Sequence, residues 1–253
     1  MDKNQLINHK VISDRYFFPR KQWFENPFFV PTPEGKLGCH FTNNHPDGLT
    51  LVHFHGNGEI VCDWMEGFAT TLDQLGCNVL LAEYRGYGMS DGTPSFGAIL
   101  EDTPRIIEAT RLDPSRIVLF GRSVGSIPAI RGVSIYPKIA GLVLESGIAD
   151  VFERLIVRID PSEIGTDQEE LKKAILEEID HKTTMNSYTG PVLVMHARND
   201  SLVNISHGQR LYDWAGGDKK EIRIFERGDH NNILIANVDE YFSALLAFLK
   251  KLR

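Results

Sequence analysis

Short apolar, often β-branched runs alternate along the chain with longer stretches whose apolar residues recur every three or four positions. The runs Leu49 to His55, Asn78 to Glu83, Arg116 to Phe120, Gly141 to Glu145, Pro191 to His196 and Glu221 to Phe225 suit buried central strands, apolar on both faces. The periodic stretches Val61 to Leu75, Ile99 to Arg111, Val124 to Tyr136, Ser206 to Ala215 and Leu234 to Leu252 suit crossover helices. In the last, Val238, Tyr241, Phe242, Leu245, Leu246 and Leu249 form one face. Strand and helix in alternation predict an α/β fold, a mostly parallel twisted sheet of about eight strands with helices on both faces.

Two regions depart from the alternation. Val11 to Phe18 and Asn26 to Phe41 read as an antiparallel start, with Pro31, Pro33 and Gly35 forming a turn. Between Glu145 and Pro191 lie about 45 residues where one crossover helix would suffice. Ile148, Val151, Phe152, Leu155, Ile156 and Ile159 have helical spacing and stop at Asp160-Pro161, which terminates a helix. Thr166 with Glu169 reads as a capping box ahead of Leu171, Ala174, Ile175 and Ile179. The expectation is one domain, residues 1–253, carrying a two-helix cap over about 147–187 whose apolar faces lie above the active-site end of the sheet.

At 253 residues the chain can bury one large core. Its 27 basic residues are scattered and outnumbered by 34 acidic ones, which disfavours nucleic acid as a partner. No apolar run has the length of a membrane span, and the N-terminal stretch lacks a signal-peptide core, so a cytoplasmic protein is expected. Cys39, Cys62 and Cys77 are odd in number, lack CxxC spacing and sit among apolar neighbours, as buried free thiols do.

The chemistry concentrates on three loops. Gly121-Arg122-Ser123-Val124-Gly125 follows a predicted strand and precedes a predicted helix, the setting of a nucleophile elbow. There a tight, strained turn exposes the serine Oγ, and glycines two before and two after let neighbouring backbone approach. Helix N–H groups would face a developing oxyanion, making the Val124 amide one donor. The serine needs a base held by a carboxylate. His230, in Arg227-Gly228-Asp229-His230 after the final strand, has the expected place in the order serine, acid, histidine. Asp200, on the loop after Pro191 to His196, is the acid, with Glu145 the principal rival and Asp229 too close in sequence to face the ring. The loop His55-Gly56-Asn57-Gly58-Glu59 offers the second oxyanion donor, the Asn57 amide.

No metal or cofactor site is expected. His53 and His55 share an HxH spacing, and His196 and Asp200 are four apart, but no third clustered ligand completes a zinc set. Tyr84-Arg85-Gly86-Tyr87-Gly88 begins like a dinucleotide fingerprint but continues to Asp91 where a glycine is needed, and reads as a tight loop.

Together HGNGE (55–59), YRGYGMSDGTPS (84–95), FGRSVGS (120–126), ARNDSLV (197–203) and GDHNN (228–232) resemble the serine α/β-hydrolase superfamily, in its group with HGN(G/A), YRGYGxSxG and GxSxG motifs. The resemblance spans roughly residues 50–250, and the chain departs from many relatives in having Ser126-Ile127-Pro128 where they have small residues after SxG. It implies cofactor-free hydrolysis of small-molecule carboxylic esters or thioesters, as in lipid-processing esterases and protein depalmitoylases, and the apolar cap faces suggest an apolar acyl or alcohol group on the substrate. Serine aminopeptidases are also similar; for peptidase chemistry, Glu153 or Glu163 would bind a substrate amino group. A catalytically idle binding module is the reading from another class.

Overall fold

The computed structural model describes residues 6–252; residues 1–5 and Arg253, parts of the N-terminal stretch and of the span 1–253 considered above, lie outside the described residues. Eight strands form one sheet: β1 (Phe28–Thr32), β2 (Gly35–Thr42), β3 (Thr50–Phe54), β4 (Asn78–Ala82), β5 (Ile117–Arg122), β6 (Gly141–Glu145), β7 (Val192–Ala197) and β8 (Lys220–Phe225), in the order β1-β2-β4-β3-β5-β6-β7-β8. β1, β2 and β4 pair antiparallel, and from β4 onward every neighbouring pair is parallel. The chain steps from β3 outward to β4 and then back across β3 to β5, so the crevice between the carboxyl ends of β3 and β5 is the switch point where open α/β sheets bind ligands.

Both faces of the sheet are covered, because successive strand residues point opposite ways. Val52, Phe54, Leu80, Leu119, Leu142 and Leu144 join one buried cluster, while Leu51, Val79, Leu81, Val118 and Val143 join another with Trp64, Phe68, Tyr241, Leu245 and Phe248.

The N-terminal segment corrects the expectation of an antiparallel start at Val11 to Phe18. It forms helix α1 (Lys10–Tyr16), capped by the His9 side chain accepting from the Val11 amide. Ile12 and Tyr16, four apart, are buried, and Tyr16 and Phe17 pack against Phe96. Asn26 to Phe41 forms the expected hairpin, with Thr32 paired to Gly35 across the turn.

The stretch predicted as one helix over Val61 to Leu75 is interrupted at Glu66 and Gly67, where Gly67 takes a φ of 76°, before α2 (Thr70–Gln74). α3 (Phe96–Ala109) starts earlier than its apolar pattern does because Ser95 caps it, accepting from the Ala98 amide. α4 (Ser126–Ile135) follows a short 3₁₀ turn, Ser123–Gly125, rather than beginning at Val124.

Between β6 and β7 stand three short helices, α5 (Val151–Leu155), α6 (Gln168–Glu178) and α7 (His181–Ser187), where two were expected. The cap of α6 is shifted by one residue: Asp167 accepts from the Glu170 amide, and Thr166 reaches the Glu170 carboxylate. Val151, Phe152, Leu155, Ile159, Leu171, Ala174 and Ile175 are buried in the first core cluster, so the apolar faces of this segment are consumed in docking it.

α8 (Ile205–Trp214) follows β7, and the C-terminal helix breaks into α9 (Ile233–Ala236) and α10 (Val238–Lys250). At the break Asn237 leaves the helical region and donates to the carbonyls of Arg227 and Ile233.

Candidate active site

β5 ends in Arg122, and the chain turns at once into the 3₁₀ step with Ser123 at a φ of 52°, a left-handed conformation unfavourable for a residue with a Cβ. The flanking glycines explain how the turn closes: a Cβ at Gly121 would strike the Gly125 carbonyl, and one at Gly125 would strike the Phe54 carbonyl at the end of β3. The parallel register Phe54↔Gly121 brings the loop after β3 beside the serine.

Ser123, Asp200 and His230, 107 and 30 residues from one another along the chain, meet here. His230 Nε2 lies 2.9 Å from Ser123 Oγ, and His230 Nδ1 lies 2.8 Å from Asp200 Oδ2. The other Asp200 oxygen accepts from the amides of Leu202 (3.0 Å) and Val203 (2.7 Å), which fixes the carboxylate plane. Burial alone would raise the Asp200 carboxyl, but the hydrogen bond to His230, its charge and the Val203 amide outweigh burial and hold it below its ordinary 3.8. His196 also approaches Asp200, at 3.4 Å, while donating to the Val203 carbonyl.

The rival acids have other work. Asp229 accepts from the amide and hydroxyl of Ser201 and from the His230 amide, tying the two loops together. Glu145 is fully buried, accepts from the Tyr241 hydroxyl and lies 3.3 Å from Arg122. Burial raises its carboxyl even against the attraction of Arg122.

Arg122 itself, the variable residue of the GxSxG pattern, was not singled out by sequence reasoning. Its guanidinium lies 3.0 Å from Glu59 and donates to the His230 carbonyl at 2.8 Å, so one buried cation links the β3 loop, β6 and the histidine loop. A signal was present: parallel pairing of adjacent strands puts Arg122 opposite Glu145.

Asn57 and Val124 line the same cavity as Ser123 and His230. The Asn57 side chain accepts from the Phe18 amide and the Tyr87 hydroxyl and donates to the Tyr16 carbonyl, so it anchors the segment after α1 over the site. This cavity, of about 240 Å³, is also lined by Tyr16, Phe18, Arg154 and Arg158. The first two come from the segment misread as a strand, and the arginines from the polar side of the cap. The apolar cap faces expected above the site lie in the core instead.

His53 and His55 diverge. The His53 ring packs among Trp64, Phe68 and Phe120, whereas His55 lies 2.6 Å from Glu83 and against Tyr84. Among the described residues no group of three or more His, Cys, Asp or Glu could hold a metal ion. Cys39 and Cys77 are buried and in no disulfide, and Cys62 is only partly covered.

An eight-stranded, mostly parallel sheet with a serine, a histidine and an aspartate on the loops after β5, β8 and β7 defines the α/β-hydrolase class. Comparison with known proteins agrees. Residues 45–164 match the family model described as "Serine aminopeptidase, S33". Over 81% of its length the chain is 26% identical to the mouse "Alpha/beta hydrolase domain-containing protein 17C", covering 62% of that protein. It is 27% identical to "Alpha/beta hydrolase domain-containing protein WAV2" of Arabidopsis thaliana, over 85% of this chain and 75% of that one. The chain spans about 60% of the length of several of these curated relatives. Among solved structures, the Pyrococcus furiosus esterase Pf2001 superposes with a TM-score of 0.71 at 22% identity, covering 92% of this chain and 98% of that one. The esterase EaEST from Exiguobacterium antarcticum gives 0.69 at 17% identity, covering 89% and 100%, a likeness of fold. The chain has the α/β-hydrolase fold and is similar in sequence to proteins of that superfamily.

Proposed function

We propose that this protein hydrolyses carboxylic esters or thioesters through an acyl-enzyme on Ser123. The observation that carries the reading is the continuous relay Asp200–His230–Ser123, with both contacts under 3 Å. His230 Nε2 takes the serine proton as Oγ bonds to the acyl carbon, and returns it to the departing oxygen or sulfur. Water, deprotonated by the same nitrogen, then attacks the acyl-enzyme and releases the acid. Asp200 holds the imidazole tautomer and stabilises the imidazolium. The backbone amides of Val124 and Asn57 receive the oxyanion, each contributing about 3 to 4 kcal/mol to the transition state.

The carboxylates a peptidase would need for a substrate amino group are engaged elsewhere. Glu153 pairs with Arg210 and Glu163 with Arg15, and neither lines the Ser123 cavity. Ester chemistry is favoured on that ground. Incubation with a fluorophosphonate probe, followed by mass spectrometry, is expected to place one adduct on Ser123, accompanied by turnover of 4-nitrophenyl esters. Failure of Ser123 to label while the protein is folded would sink the reading in favour of an idle module.

A further inference from the structure

The cap segment contributes two cations to the nucleophile's cavity. Arg154 is partly covered, Arg158 lies with its guanidinium 4.7 Å above the Phe18 ring, and both line the space that contains Ser123 and His230. Among the described residues neither has a carboxylate partner. The nearby ion pairs join Arg15 to Glu163 and Arg210 to Glu153. The acidic groups around the cavity are equally committed: Glu59 to Arg122 and the Gly56 amide, Asp200 to His230 and the amides of Leu202 and Val203.

Two like charges lining one small cavity repel, so local stability does not account for them. Nor does overall charge, since the chain has a net charge of −7 and its field as a whole repels anions. A fork of N–H donors held by an aromatic face beside a nucleophile is suited to a planar or tetrahedral oxyanion group.

We propose that Arg154 and Arg158 form an anion subsite, and that the substrate is an ester or thioester carrying a carboxylate or phosphate on its acyl or leaving group. This rests on the hydrolase reading above and names the substrate class of that site. The two arginines act as binding residues for the part of the substrate that does not react, and the bond changes are those already given.

The test compares kcat/KM for matched pairs in low salt. Mono-4-nitrophenyl adipate against 4-nitrophenyl hexanoate probes the acyl side. On the leaving-group side, 4-acetoxybenzoate and 4-acetoxyphenyl phosphate are each set against methyl 4-acetoxybenzoate. The expected result is a preference of about tenfold or more for an anionic member in at least one pair, falling toward parity in the Arg154→Ala/Arg158→Ala variant and reversing in Arg158→Glu. Preference in the carboxylate or the phosphate arm identifies the anion. Parity in every pair for the wild type, or a preference that survives the double substitution, overturns the subsite. Fluorophosphonate labelling of Ser123 in each variant reports an intact nucleophile. Its absence from the wild type overturns the hydrolase reading and this inference with it, whereas labelling without preference overturns this inference alone.

Discussion

Two cavities share a wall made of Glu59, Arg122 and Asn231. The smaller, about 240 Å³, contains Ser123 and His230 and is rimmed by arginines. The larger, about 560 Å³, lies between the interrupted helix after β3 and the C-terminal helices, lined by Trp64, Phe68, Leu234, Ile235 and Phe242. By size and apolar character alone the larger one would be the default ligand site. It has neither member of the serine–histidine contact, and the relay opens on the other side of Arg122. Both cavities lie at the carboxyl ends of the parallel strands; the difference teaches that the serine and histidine face the side closed by the cap and the β7 loop, while the apolar volume is lined by the interrupted helix and the C-terminal helices.

The largest expected effect separates the two spaces. Ser123→Ala should lower ester turnover by about 10⁴- to 10⁶-fold, while Thr71→Trp, which fills part of the larger cavity, should change short-chain ester turnover by less than about threefold. Steady-state assays with 4-nitrophenyl acetate decide it. Comparable losses in both would mean that the larger cavity belongs to the reaction.

The shared wall comes next. Arg122→Leu leaves Glu59 and Glu145 without their buried counter-charge and removes the donor to the His230 carbonyl, a loss of about 3 to 5 kcal/mol. Urea unfolding followed by tryptophan fluorescence should show a midpoint about 1 to 2 M lower. An unshifted midpoint would show that the two cavities are independent of the ionic wall between them.

The smallest effect concerns acid. His181 donates to the Ile148 carbonyl beneath the smaller cavity, and burial lowers its pKa from 6.5 to about 4; His207, also lowered to about 4 by burial, accepts from the Ala149 amide. The unfolded chain therefore binds more protons than the folded one below pH 6.5. The stability these two histidines contribute should fall as the pH drops from 6.5 toward 4 and level off below that. His181→Gln should make the fall shallower in unfolding measurements across this range, and an unaltered slope would remove His181 from the account.

Much of this was legible in the chain. Gly141 to Glu145 is a strand over the same residues as predicted, and the other central strands agree to within two residues at their ends. Ser123, Asp200 and His230 were identifiable because each sits on a loop after a strand in a fixed order, and the glycines around Ser123 answer a local need of its backbone. The misreadings share a cause. Val11 to Phe18 has apolar residues in both spacings, and a helix prevails because Ile12 is buried and Tyr16 and Phe17 pack against Phe96, about 80 residues on. The single helices expected over Val61 to Leu75 and Leu234 to Leu252 break at Gly67 and Asn237, where φ/ψ and a side-chain bond to Arg227 override the apolar period.

The sequence by itself determined the alternation of strands and helices, the candidate serine and histidine with a short choice of acids, and the turns that carry them, because these depend on periodicity and on backbone geometry within a few residues. Only the tertiary structure decided which carboxylate meets the imidazole and which arginine is buried between two acids. It also decided which face of the cap meets the site. An amphipathic helix hides its apolar face wherever the core admits it, and the polar face left over, here Arg154 with Arg158 just beyond, is what the cavity receives.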